Sequence, residues 1–351
     1  MTDAGKRAPS LARTALTVAV AGVGGALAAA LRIPLPWVLG SMFAVAALRL
    51  SGHGVPQPMA WRRGAQIVIG TALGLTFTRE VVAQVAALWP WLIGGAAFAV
   101  AVTMLASRAM QRLASVDAPT AIYAVAVGAS AEMALQAQRA GADPALVASA
   151  HAVRIVLVVS LASLVAHWSG EHGVVGLTSA ALAPLPWHFG LLFLVLSPTV
   201  AWLAVRVRLP NGWLLGPVLL TALFASHGLT ARLYAPVVIG AQVLIGWSLG
   251  QHMTRAFFRK SPRMLLAAML VTIATLGLCV ATAAAVAHGG ATTLLTAFLA
   301  LAPGGTAEMA IVAKTYGIGA IVTTFHFVRV VTMIVAMRWI AAALLRSGWV
   351  R

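Results

Sequence analysis

The chain repeats itself at an offset of 176 residues, and the register holds across many residue types. Arg32-Ile33-Pro34 matches Arg208-Leu209-Pro210, with Trp37 and Leu39-Gly40 falling on Trp213 and Leu215-Gly216. Ala65-Gln66-Ile67-Val68-Ile69-Gly70 falls on Ala241-Gln242-Val243-Leu244-Ile245-Gly246, and Thr78-Arg79 on Thr254-Arg255. Ala131-Glu132-Met133-Ala134 meets Ala307-Glu308-Met309-Ala310, and one residue of slippage brings His151-Ala152-Val153-Arg154 onto His326-Phe327-Val328-Arg329. Such self-similarity constrains every other reading, because whatever fold one half adopts the other must adopt too. The predicted organisation is a tail at 1–10, a first repeat at 11–168, a linker at 169–186, a second repeat at 187–345 and a tail at 346–351. The apolar stretch near the N-terminus could pass for a signal peptide, but it belongs to the repeat and is expected to stay.

Neither half can face water. Of 351 residues, 61% are hydrophobic and 9% charged, against about 25% charged in soluble domains. The net charge of +17 would mark a nucleic-acid binder in a soluble chain. Here the basic residues stand singly or in pairs between apolar runs, as in Arg62-Arg63 and Arg259-Lys260, which is the pattern of cytoplasmic loops in membrane proteins. The apolar segments of the first repeat are 11–31, 35–50, 64–77, 81–105, 118–137 and 145–168. Those of the second are 188–205, 211–226, 236–250, 264–287, 291–313 and 318–345. If all twelve crossed, the basic residues would divide almost evenly between the two sides. If 118–137 and 291–313 dip in and return, each half crosses five times and the second half is inverted. That arrangement leaves only Arg32, Arg79, Arg232 and Lys314 outside, with Arg154 and Arg329 within the membrane. The expected fold is therefore an all-α polytopic membrane protein of two inverted repeats. Each would have about five transmembrane helices and a re-entrant or broken hairpin.

The two returning segments carry the unusual chemistry. Gly128-Ala129-Ser130-Ala131-Glu132 and Pro303-Gly304-Gly305-Thr306-Ala307-Glu308 put helix breakers, a hydroxyl and a carboxylate inside apolar stretches. Irregular backbone at membrane depth is tolerated only where protein buries it or a cavity lines it. Matched interruptions in two inverted halves point to a transporter's binding site. Glu132 and Glu308 are candidates for proton carriage or ligand binding, or else for neutralising Arg154 and Arg329 or capping the broken helix ends. His151 and His326 stand one helical turn before those arginines; the pair could hold an anion and relay protons, or belong to a Glu–Arg–His network that only ties each hairpin to its neighbour. Ser130, Thr306, Gln66 and Gln242 are candidate polar contacts, helix–helix bonding being the commoner role for the glutamines. Cys279 is the one cysteine, and the histidines form no metal-binding spacing, so no metal or other cofactor is expected.

With the repeat laid out, the chain resembles the AbrB-duplication membrane family over nearly its whole length. The telling pieces are Pro210 to Pro217, the run from Ala241 to Gly246, and Ala302-Pro303-Gly304-Gly305-Thr306-Ala307-Glu308-Met309. Val127-Gly128-Ala129-Ser130 departs from the Pro-Gly-Gly pattern, which predicts a less sharply broken first hairpin. The resemblance implies a bacterial inner-membrane location, here with both termini cytoplasmic. Family labels include regulation of gene expression and ammonia monooxygenase. A DNA-binding role lacks a water-exposed domain, and an oxidase lacks clustered ligands. The expectation is a proton-coupled secondary transporter or exporter of a small metabolite, an anion being one candidate, rather than an enzyme; the alternative is a membrane sensor or regulatory component acting indirectly on gene expression. Its partners would be the lipid bilayer and a small-molecule or ion substrate, not nucleic acid; a homo-oligomer is left open.

Overall fold

The computed structural model describes residues 11–128, 130–170 and 182–349; the N-terminal tail and most of the 169–186 linker lie outside these. The first repeat forms α1 (Leu11–Ala30), α2 (Pro36–Leu50), α3 (Met59–Gly74), α4 (Arg79–Ala87), α5 (Trp89–Ala114), α6 (Ala118–Val125), α7 (Ser130–Arg139) and α8 (Pro144–Trp168). The second forms α9 (Trp187–Arg206), α10 (Gly212–Ser226), α11 (Ala235–Gly250), α12 (Arg255–Lys260), α13 (Pro262–His288), α14 (Leu294–Leu301), α15 (Thr306–Thr315) and α16 (Gly319–Arg346). Eight helices follow eight in the same order. Left-handed backbone at Arg32 and Leu35 (φ 55° and 47°) recurs at Arg208 and Asn211 (φ 60° and 53°). Such values are uncommon away from glycine, so the backbone has been duplicated along with the sequence.

α1, α5, α8, α9, α13 and the Gly319–Met337 stretch of α16 are each long and apolar enough to cross a bilayer. Their outward faces carry exposed side chains such as Leu27, Leu194 and Val195, which lipid covers at no cost. This is an all-α polytopic membrane fold. α2 and α10 have 15 residues each, which gives about 22 Å against a hydrocarbon layer of about 30 Å.

The apolar segment read at 81–105 is interrupted. It splits at Leu88 into α4 and α5, with Pro90 in the first turn of α5 where its missing N–H is harmless. At the corresponding place Ser261 (φ −153°, ψ 63°) separates α12 from α13, because the residue before a proline is pushed out of the helical region.

The chain divides into two compact units. In the unit that runs to Ala65 and includes 239–260, Gly246 lies against the Val38 carbonyl of α2 and Gly250 against that of Met42. Trp247 is fully buried there, its indole donating to Val55 O at 3.1 Å. In the unit made of 66–238 and 261–351, Gly70 lies against the Leu214 carbonyl of α10 and Gly74 against that of Val218. All four pairings are related by the 176-residue offset. Each half's third helix thus docks on the other half's second helix, and any side chain at these glycines would strike backbone.

The larger unit holds both hairpins. Arg263 at the start of α13 donates to Leu113 O near the end of α5 at 2.8 Å. Gly94 and Gly95, near the start of α5, share a cavity with Thr282 and Val286, near the end of α13. These equivalent helices therefore run antiparallel. α5 also packs on α16, and α13 on α8, so each half's long helix meets the last helix of the other.

Candidate functional site

The site is built where α6–α7 and α14–α15 break. Asp117 caps α6 by accepting from Thr120 N at 3.0 Å, and the Thr120 hydroxyl accepts from Asp143 N at 2.9 Å. That bond ties the start of α6 to the start of α8. Further along, His151 Nε2 meets Tyr123 O at 2.9 Å. Arg154 Nη1 then donates to Val125 O and Ala126 O at 3.2 and 3.0 Å. Three successive levels of contact make α6 run beside α8 in the same direction, so α7 must turn back: the segment is a hairpin.

The second half repeats the arrangement. His326 Nε2 meets Leu299 O at 3.0 Å, while Arg329 donates to Ala302 O at 2.8 Å and Gly304 O at 3.2 Å. In both halves the arginine Nη2 faces the histidine Nδ1, at 3.1 and 3.2 Å. A carbonyl only accepts, so Nε2 carries the proton in each ring and Nδ1 accepts from the guanidinium. Both histidines are thereby neutral spacers between helix and arginine. The guanidinium sits at the C-terminal end of the broken helix, where unpaired carbonyls and the helix dipole favour a cation.

The expected softer break in the first half is not what forms. α6 ends at Ala126 with φ −54° and ψ 125°, close to φ −56° and ψ 134° at Ala302. Arg154 captures the last carbonyls of α6 whether or not a Pro-Gly-Gly follows, and this tertiary bond sets the break. Gly128 and Gly304 lie under Met133 and Met309 respectively, both of which are fully buried. Pro303 is also buried.

The glutamates are placed differently from the neutralising role weighed above. Among the described residues neither forms an ion pair with Arg154 or Arg329. Glu308 is 5% exposed and folds back over Gly305, where a Cβ would meet its carboxylate. It occupies the first turn of α15, where the helix dipole favours an anion. Glu132 is half-buried and accepts from Gln136 at 3.4 Å, while Gln136 also donates to Ile334 O of α16 at 3.3 Å. Each break thus carries a cation at its arriving helix end and an acid at its departing one.

Arg154 is 7% exposed and Arg329 3%, and the Nε of each is buried without a hydrogen-bond partner. Arg154 lines a cavity of about 20 Å³ that also touches Val127 of the first break and Pro303 of the second. The two hairpins therefore meet at one cavity, in which there is room for roughly one water. A second cavity of about 180 Å³ is lined by Gly95, Thr282, Val286, Ala300 and Leu301. These sit at the 176-residue offset from Val271, Ala106, Met110, Ala124 and Val125 of the first cavity. The cavities are repeat-related, one beside each break.

Other candidates lie apart from this geometry. Gln66 donates to Asn211 at 3.1 Å across α3 and α10, a helix–helix bond. Gln242 is on α11 in the other compact unit. Thr306 opens α15 half-buried, and the Ser130 side chain lies outside the described residues. Thr272 and Thr275 of α13, which line the Arg154 cavity, escaped the sequence reading; polar residues three apart in a long apolar helix were the signal. Among the described residues no three His, Cys, Asp or Glu side chains gather where they could hold a metal ion.

Comparison with known proteins finds one family over most of the chain. The family described as transition state regulatory protein AbrB matches residues 37–345. A protein of Escherichia coli (strain K12) named as a regulator, AbrB, is 27% identical over 290 aligned residues, 81% of this chain and 82% of its own. The uncharacterized protein YhjN of Bacillus subtilis (strain 168) is 24% identical over 359 aligned positions, 94% of this chain and 92% of its own.

Proposed function

Because the chain belongs to the AbrB family, with helices built to cross a bilayer, we propose that it is a proton-coupled secondary transporter of a small anionic metabolite in the bacterial inner membrane. The observation that carries the reading is the meeting of two broken hairpins at one buried cavity, each holding a guanidinium with an unused donor. A buried arginine Nε without a partner costs about 1–3 kcal/mol, a cost that a carboxylate or phosphate would remove by accepting that bond.

Alternating access follows from the duplication. The antiparallel pair α5 and α13 supports opposed threading of the two halves, and the repeat-related cavities lie toward opposite ends of that pair. Rocking one half against the other would exchange which cavity is open. Glu308, buried at a break without a cation partner, is the proton carrier in this reading. Gain and loss of its proton would change the charge beside the anion site at each cycle.

The test is uptake by proteoliposomes of a panel of small carboxylates and inorganic phosphate, with and without an imposed pH gradient. At least one anion should accumulate only with the gradient, and Glu308→Gln should abolish that dependence. Transport indifferent to both would remove the proton role. The second reading, a membrane sensor, is favoured by the small size of the Arg154 cavity and predicts saturable anion binding with no flux.

A further inference from the structure

One wall of the Arg154 cavity faces a second space. Beside it a groove of about 380 Å³ runs between α5 and α13, and cavity and groove share Val102, Ala106, Val271 and Thr275. The groove falls within the range of about 300–1,000 Å³ typical of ligand sites. Thr275 is its one polar side chain, and small residues at its exposed rim, Ala109 and Ala274 among them, keep it open. Ala274 is exposed on the outer face of a helix that crosses the membrane, so the groove opens toward lipid rather than toward water. A lipid-facing apolar groove and the cavity of a buried guanidinium with a free donor thus stand on two sides of one wall.

We infer that the transported anion carries an apolar tail. The occupant is an amphiphile with one carboxylate-like head, entering sideways from the bilayer with its head toward Arg154 and its tail along the α5–α13 groove. Charge complementarity selects an anionic head, because a neutral or cationic one would leave the Arg154 Nε unmatched. The apolar lining selects the tail, since a small hydrophilic anion gains nothing from burying Val102 and Leu278. The four shared residues form the threshold between the two spaces, and the head reaches Arg154 when Val102 and Val271 part. This assignment rests on the anion-transport reading above and narrows its substrate class.

The experiment compares radiolabelled dodecanoate, butyrate and dodecanol binding to the full chain in nanodiscs, with protein-free nanodiscs subtracted. Saturable dodecanoate binding at least tenfold tighter than butyrate is expected, with dodecanol showing no saturable component. Ala274→Trp, which fills the groove from its exposed side, should weaken dodecanoate binding at least tenfold and leave butyrate within twofold. Arg154→Lys should weaken both acids. Equal binding of dodecanol and dodecanoate means that ordinary lipid tails fill the groove and overturns the inference, as does an Ala274→Trp variant with unchanged dodecanoate affinity. If butyrate still moves with the proton gradient while dodecanoate fails, the tail assignment falls and anion transport stands. If no anion of either length binds, both fall.

Discussion

Replacing Arg329 by lysine should loosen the second hairpin without unfolding the protein. The arginine donates to Ala302 O and Gly304 O, on either side of Pro303, and faces His326 Nδ1. A lysine keeps the charge but offers a point donor in place of a rigid fork, so it can hold one of these acceptors and must release the others. Interhelical hydrogen bonds in membranes average about 0.6 kcal/mol and reach about 1.7, while bonds from charged donors in proteins generally contribute about 1.5–3. Two lost bonds at about 1–1.5 kcal/mol each make local opening easier by roughly 2–3 kcal/mol. That is about 30- to 150-fold in the opening equilibrium. Hydrogen exchange in nanodiscs reads this directly at the amides of Gly304, bonded to Ala302 O, and Met309, bonded to Gly305 O. Their protection should fall by that factor while the middles of α5 and α13 keep theirs. Protection unchanged within threefold would refute the arginine's role in setting the break. A loss spread evenly over the unit would show that it holds the whole fold instead.

Other substitutions separate packing from function. Gly70→Val and Gly246→Val should each destabilise by about 1–3 kcal/mol, because both drive a side chain into a backbone carbonyl at repeat-related crossings; thermal unfolding that spares one of them would break the correspondence. Gly305→Ala should leave the unfolding temperature nearly unchanged yet abolish the gradient dependence of anion transport, since the new methyl displaces the Glu308 carboxylate; retained dependence would detach Glu308 from the mechanism. Asp117→Ala removes the cap of α6 and should cost about 1 kcal/mol, seen as faster exchange of the Thr120 amide and not of the Thr296 amide at the equivalent helix start.

Much of this could be read from the residues. The 176-residue register gave two copies of one unit, and the glycines and Pro303 marked where helices would break at membrane depth. The glutamate and arginine pairs were recognisable because charge in an apolar stretch needs a reason. Their partners were not legible. A sequence displays side chains but hides backbone carbonyls, and it is the carbonyls of Val125, Ala126, Ala302 and Gly304 that take up the two guanidiniums. Pairing acid with base was the natural expectation, and the helix ends competed successfully for the arginines. The same blindness made the first hairpin look softer than the second, since its break is imposed by Arg154 from another helix. The groove beside Arg154 was invisible for a related reason. It depends on α5 and α13 lying antiparallel, and on small residues far apart in the chain lining one space.

Everything proposed for transport depends on the second half threading the membrane opposite to the first. Single cysteines placed at Ser115, after α5, and at Gly290, after α13, in a Cys279→Ala background test this with a membrane-impermeant thiol reagent on intact spheroplasts and on inverted vesicles. Gly290 should react in spheroplasts and Ser115 only in inverted vesicles. Reaction of both positions from the same side would contradict the inverted arrangement and leave the two hairpins without a shared pathway.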